Sequence, residues 1–143
     1  MTRVTILLLC ALLAACSSRD ERAAPRDVAA PPADALKTPS GLASKVLRVG
    51  LGSTHPRPES MVTVHYTGWT ADGKMFETTM TDKQPVTLRV TDAIPGWIEG
   101  LQLMRAGEKR RFWIPGSLAY DNNPNPELPK GMLVFDIELI RIQ

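Results

Sequence analysis

Apolar side chains recur at every second position through much of this chain. Across residues 61–67 the run Met-Val-Thr-Val-His-Tyr-Thr puts Val62, Val64 and Tyr66 on one face, the period of a half-buried strand. Val86, Leu88 and Val90 repeat the alternation, and within residues 109–114 Phe112 and Ile114 share one side with Trp113 on the other. Residues 44–49 read as a first strand and 132–142 as the longest, with few and staggered charges. Asp72-Gly73 marks a hairpin after the 61–67 strand. One stretch changes period. Trp97, Leu101 and Met104 fall on a single helical face, so residues 95–104 are predicted to form a helix whose first turn accepts Pro95 and whose end is closed by Gly107. The Pro- and Asn-dense run 121–131 is a loop. Strands with one helical segment predict an α+β fold, an antiparallel sheet wrapped around a short helix.

The front of the chain follows other rules. Residues 1–15 carry one cation, Arg3, and then an apolar stretch, the pattern of a secretory signal that is removed. The stretch ends in Leu13-Ala14-Ala15-Cys16, which resembles the lipobox of bacterial lipoproteins. That resemblance implies cleavage before Cys16 and acylation of its thiol, hence an exported protein anchored by lipid to the cell envelope. Ser17, rather than Asp, favours the periplasmic side of the outer membrane over the inner membrane. Residues 17–36 mix alanine, proline and both signs of charge with few large apolar groups. They are expected to form a disordered, Pro-stiffened tether, which leaves residues 37–143 as one small domain.

Composition narrows the chemistry. Of 143 residues, 43% are apolar and 22% charged, near the globular norm. A net charge of +2 gives no electrostatic case for nucleic acid. Cys10 lies inside the signal, so Cys16 is the sole cysteine of the expected mature chain and no intramolecular disulfide can form. No apolar run reaches the roughly 18 residues of an ordinary membrane span. His55 and His65 are the only histidines, too few for a zinc or iron centre, and no metal or cofactor is expected. His65, opposite Val64 and Tyr66, reads as an exposed or edge-strand residue. A Gly-rich phosphate loop, a nucleophile elbow and a Ser–His–acid set are all absent from the sequence. An activity here would have to work without covalent or metal chemistry.

Several short segments occur in a telling order. Val64-His65-Tyr66-Thr67-Gly68 is followed by Asp72-Gly73-Lys74-Met75-Phe76-Glu77-Thr78-Thr79 and by Ile94-Pro95-Gly96-Trp97-Ile98-Glu99-Gly100-Leu101. Gly107-Glu108-Lys109, Ile114-Pro115, Leu118-Ala119-Tyr120 and Leu133-Val134-Phe135-Asp136-Ile137-Glu138-Leu139 continue it. Together, over residues 41–143, they resemble the FKBP-type peptidyl-prolyl cis-trans isomerases. The resemblance implies a five- or six-stranded antiparallel sheet curled over the helix, with a pocket between them. On that pattern Trp97 is the pocket floor and Tyr66, Phe76 and Phe135 its walls. Glu77 orders its polar edge, Ile94 offers a backbone N–H to a substrate carbonyl, and Tyr120 offers its hydroxyl. Val86, Ala93 and Leu128 are the implied substrate contacts. Xaa-Pro segments of exported polypeptides are the implied partners, with macrolide inhibitors as further ligands, and a monomer is expected. Read singly, each aromatic is equally at home in a small core.

The chain also departs from the family pattern. Glu77 stands where most active members carry Asp, and Val86 where a pocket Phe is usual. The segment before Ile94 is short, and Asp121 follows Tyr120 where many members have Gly. These departures leave a second reading open, a non-catalytic module that holds Pro-containing or apolar segments on the same scaffold.

Overall fold

The computed structural model describes residues 19–143. The signal segment, Cys16 and Ser17 lie outside the described residues. Seven strands, β1 Leu36–Lys37, β2 Ala43–Arg48, β3 Met61–Thr70, β4 Met75–Thr78, β5 Val86–Arg89, β6 Lys109–Ile114 and β7 Leu133–Ile142, form one antiparallel sheet. Its order is β1-β2-β6-β7-β3-β4, with β5 also paired to β3. The sheet has more strands than the five or six expected because of two details. The two-residue β1 adds an edge beside β2. The outer edge of β3 is shared, with Met61–Val64 bonding β5 and Thr67–Trp69 bonding β4.

The period-two pattern sorts residues between the two faces as the alternation demands. Val62, Val64, Phe112, Ile114, Leu133, Phe135, Ile137 and Leu139 point inward and pack with Trp97, Leu101 and Met104 from the helix side. Helix α1, Pro95–Leu101, is shorter than the sequence predicts. Leu103 and Met104 donate their N–H groups to Gly100 and Leu101, three residues back, so the last turn tightens and still buries Met104 completely. Two glycines let α1 lie against β6. A Cβ on Gly96 would sit 2.4 Å from Ile114 Cγ2, and one on Gly100 would sit 2.6 Å from Phe112 Cε1. Gly73, at φ +88°, turns the β3–β4 hairpin in the left-handed region that glycine tolerates. His65 is neither exposed nor on an edge. It is half-buried in β3, which has neighbours on both sides, and its Nδ1 lies 2.9 Å from Thr79 Oγ1.

The outer face of the sheet carries the main correction to the sequence reading. Within its described part, residues 19–36, the expected solvated tether is instead a strap laid across that face. Trp69 and Trp113, each 1% exposed, form a second apolar cluster with Ala43 and Val134 under Val28, Ala35 and Met132. The indole N–H of Trp69 donates to the Arg22 carbonyl at 3.0 Å, and that of Trp113 to the Asp27 carbonyl at 2.8 Å. Three ion pairs fasten the strap at intervals: Glu21 to Lys109, Asp27 to Arg111 and Asp34 to Lys45. Arg111 also forks onto Asp136 with bonds of 2.6 and 2.8 Å, a bidentate geometry stronger than a single contact. Alanine and proline fit such a strap because they lose little side-chain freedom when ordered.

Candidate functional site

Three elements converge on one cleft. Strand β3 delivers Tyr66 and β7 delivers Phe135 from the inner face of the sheet, while α1 presents Trp97 from its first turn. The helix can begin there because Ile94 is extended, at φ −62° and ψ 153°, and Pro95 takes the first helical position. The carbonyl of Ile94 then accepts from both Trp97 and Ile98. Its own N–H is engaged by no group among the described residues and borders the cleft.

The cleft has a volume of about 330 Å³. Trp97 stands edge-on to Tyr66 with ring centroids 4.9 Å apart, and edge-on to Phe135 at 5.4 Å. Such pairs contribute about 0.5–1.5 kcal/mol each beyond area burial, so they fix the ring orientations. Tyr66, Glu77, Val86, Ala93, Ile94, Trp97, Tyr120 and Phe135 line the cleft together. Phe76 does not line it. Its ring packs edge-on behind Phe135, centroids 5.5 Å apart, and braces that wall. Leu128 is half-buried in the 121–131 loop and is not among the lining residues, so its implied substrate contact has no counterpart in the cleft. Two lining residues escape the sequence reading, Leu88 and Asp92. Leu88 could have been found from its period-two relation to Val86. Asp92 sits in a 3₁₀ turn, Val90–Asp92, that no periodicity announces.

Polar groups are sparse and mostly donors. The Trp97 indole N–H is buried with no hydrogen-bond partner, an uncommon state for such a group. Burial raises the Tyr66 phenol well above its ordinary value, and the neighbouring Glu77 carboxylate raises it further. Burial and the Glu77 charge push Tyr120 in the same direction. Both phenols therefore stay protonated and available as donors. The lining contains no histidine, cysteine, serine or lysine. The arrangement can hold a flat apolar ring on an indole floor and offer the Ile94 N–H and Tyr120 O–H to a carbonyl. Its only anionic side chains are the carboxylates of Glu77 and Asp92.

Known proteins carry the same design. The model of the FKBP-type peptidyl-prolyl cis-trans isomerase domain matches residues 52–140. The FKBP-type peptidyl-prolyl cis-trans isomerase FkpA of Aeromonas hydrophila is 40% identical over 107 residues, which is 74% of this chain and 40% of that protein. The outer membrane protein MIP of Legionella longbeachae is 40% identical over 107 residues, 73% of this chain and 46% of that one. The crystal structure of FkpA from Escherichia coli superposes with a TM-score of 0.72 at 34% identity, covering 78% of this chain and 53% of the other. This chain thus spans about half or less of the length of these relatives. Since the family match takes in more than half of the chain, including β3 to β6, most of β7 and all ten cleft-lining residues, the chain belongs to the FKBP-type peptidyl-prolyl cis-trans isomerase family.

Proposed function

We propose that this protein catalyses cis–trans isomerisation of Xaa–Pro bonds in exported polypeptides. The observation that carries the reading is the cleft floored by Trp97 between Tyr66 and Phe135, with the free Ile94 N–H at its rim. An Xaa–Pro bond resists rotation by about 18–20 kcal/mol because resonance keeps it planar. The twisted transition state loses that resonance and is less dipolar than the planar ground state. A water-poor aromatic cleft disfavours the planar form, and a shape matched to the twisted imide adds differential binding. The Ile94 N–H and Tyr120 O–H anchor the flanking carbonyl while the bond turns. No proton moves to or from a side chain, which agrees with a lining whose phenols remain neutral.

The finer elements of the reading rest on the sequence. Acylation at Cys16 places the protein on the periplasmic side of the outer membrane, a placement supported by the name of the Legionella longbeachae relative. Macrolides would enter the same cleft, and the protein acts as a monomer.

The test is a protease-coupled or NMR exchange assay on Xaa-Pro peptides with residues 19–143, so that the strap is retained. Exchange faster than buffer is expected, with most of the gain lost in Trp97→Ala. A folded sample no faster than buffer overturns the proposal. Glu77 favours the non-catalytic reading as a rival, because its extra methylene shifts the carboxylate facing Tyr66. A displacement near 1 Å can cost on the order of a hundredfold. Glu77→Asp separates the two: a large gain marks a detuned site, and an unchanged rate shows that Glu serves.

A further inference from the structure

We propose that an exposed apolar edge formed by Leu47, Val49 and Leu51 rests on the lipid surface to which the chain is anchored, an inference that builds on acylation at Cys16. These side chains are 41%, 76% and 100% exposed. Their presentation is fixed. Gly50 between them is buried, and a Cβ there would lie 2.6 Å from the Ala106 carbonyl oxygen and the Glu108 nitrogen, so only the flanking residues can face outward. The Gly52 N–H donates to the Ala106 carbonyl and pins the far end of the run.

The strap brings the front of the chain to this same edge. Leu47 borders one groove with Arg19, Asp20, Glu21 and Lys109. The Glu21 carboxylate holds Lys109 Nζ at 2.7 Å, and Lys109 faces Arg48 in the β2–β6 ladder. Cys16 precedes Arg19 by three residues, a reach of at most about 11 Å at roughly 3.6 Å per residue. Acyl chains on Cys16 would therefore keep the start of the strap, and with it the Leu47 edge, near the bilayer surface. A free tether of twenty residues would impose no such closeness, and it is the strap that removes the slack.

Lipid suits this edge better than a protein partner. Three side chains fall far short of the roughly 800 Å² per partner of a stable interface. Charges of both signs flank the edge, with Arg48 paired to Glu138, Lys109 paired to Glu21 and Arg105 exposed beside Ala106, so the contact is chiefly apolar. The placement also orients the cleft. Helix α1 begins at the cleft with Ile94 and Trp97, and the turn after it runs to Ala106, which packs against Gly50 and Gly52 of this edge. The cleft and the lipid-facing edge thus lie toward opposite ends of one short helix.

The test couples residues 16–143 through Cys16 to a maleimide-headgroup lipid in phosphatidylcholine vesicles and follows amide hydrogen exchange. Exchange at Val49 and Leu51 should slow on the order of tenfold on vesicles relative to the uncoupled protein. The variant L47T/V49T/L51T, with isomerase rate as a check on its fold, should lose that protection. No slowing in the natural chain, or equal slowing in the variant, overturns the docking. Acyl labelling of the full chain in cells, with Cys16→Ser as control, reads the anchor separately. Absence of label removes the anchor and the docking with it, whereas label without protection on vesicles removes the docking alone.

Discussion

Replacing Gly96 or Gly100 by Ala sets two effects of opposite sign against each other. In a helix Ala is better than Gly by about 0.5–1 kcal/mol, so an exposed site would gain stability. Here the added methyl of Gly96→Ala would meet Ile114 Cγ2 at 2.4 Å, with Cδ1 and Cγ1 at 3.0 and 3.2 Å. For Gly100→Ala the obstacle is Phe112, at 2.6, 3.0 and 3.1 Å from three ring atoms. Ordinary carbon contacts lie at about 3.5–4.0 Å, so helix and strand must part by roughly 1 Å. Ile114 and Phe112 are 0% and 1% exposed and have no room to yield. Overpacking of this kind costs about 1–3 kcal/mol, which outweighs the helical gain. A net loss of about 1–2 kcal/mol is expected for each variant, near 4 °C in Tm per kcal/mol for a domain of this size. Gly96 adjoins Trp97, so its variant should also lower kcat/KM, by up to about a hundredfold if the indole shifts 1 Å. Gly100→Ala, one turn away, should lower stability more than activity. Urea unfolding followed by tryptophan emission, with the Xaa-Pro exchange assay, measures both. Either variant melting at or above the natural protein would refute the close seating of α1 on β6.

Two further outcomes follow from the strap and the phenols. A chain beginning at residue 37 should lose on the order of 1–3 kcal/mol of stability and show red-shifted emission, because Trp69 and Trp113 become wet; unchanged emission and Tm would count against the strap as cover. For Tyr66 and Tyr120, folding raises both phenols above the ordinary value of 10.0. The unfolded chain therefore binds fewer protons than the folded one above pH about 10, so stability present below that pH is lost as pH rises beyond it. Phenolate absorbance should be absent from the folded protein at pH 10 and appear on adding urea, and half-ionisation of the folded protein at that pH would contradict the burial of these hydroxyls.

Much of the inner face was legible because burial there follows a period. Val62, Val64, Phe112 and Ile114 alternate, and the sheet could hardly be built with them elsewhere. The cleft was legible only through the order of the family's segments, since Tyr66, Trp97 and Phe135 lie far apart in the chain and no local rule says that they meet. The strap was hidden for a physical reason. Its two bonds to the indoles use the carbonyls of Arg22 and Asp27, which any residue type could supply. Its charges pair with Lys45, Lys109 and Arg111, which alternate along strands as a solvated face would. Phe76 and Leu128 show the limit of carrying roles over by position: one braces a wall and the other lies outside the cleft. The early end of α1 reflects a change from four-residue to three-residue hydrogen bonds, which burial of Met104 cannot distinguish.

The place of β7 in the sheet has a consequence in time. It is the last strand in chain order, yet it sits between β6 and β3 and joins the two halves. As the polypeptide threads out of a ribosome or a translocon, β1, β2 and β6 on one side and β3, β4 and β5 on the other can pair among themselves, but the two halves stay unjoined until β7 has emerged. Asp27 then closes on Arg111 across 84 positions of sequence, one of the longest loops in the molecule. Such distant pairings make assembly slow. Until the final strand arrives, the tryptophans of both faces remain open to any chaperone that meets the nascent chain.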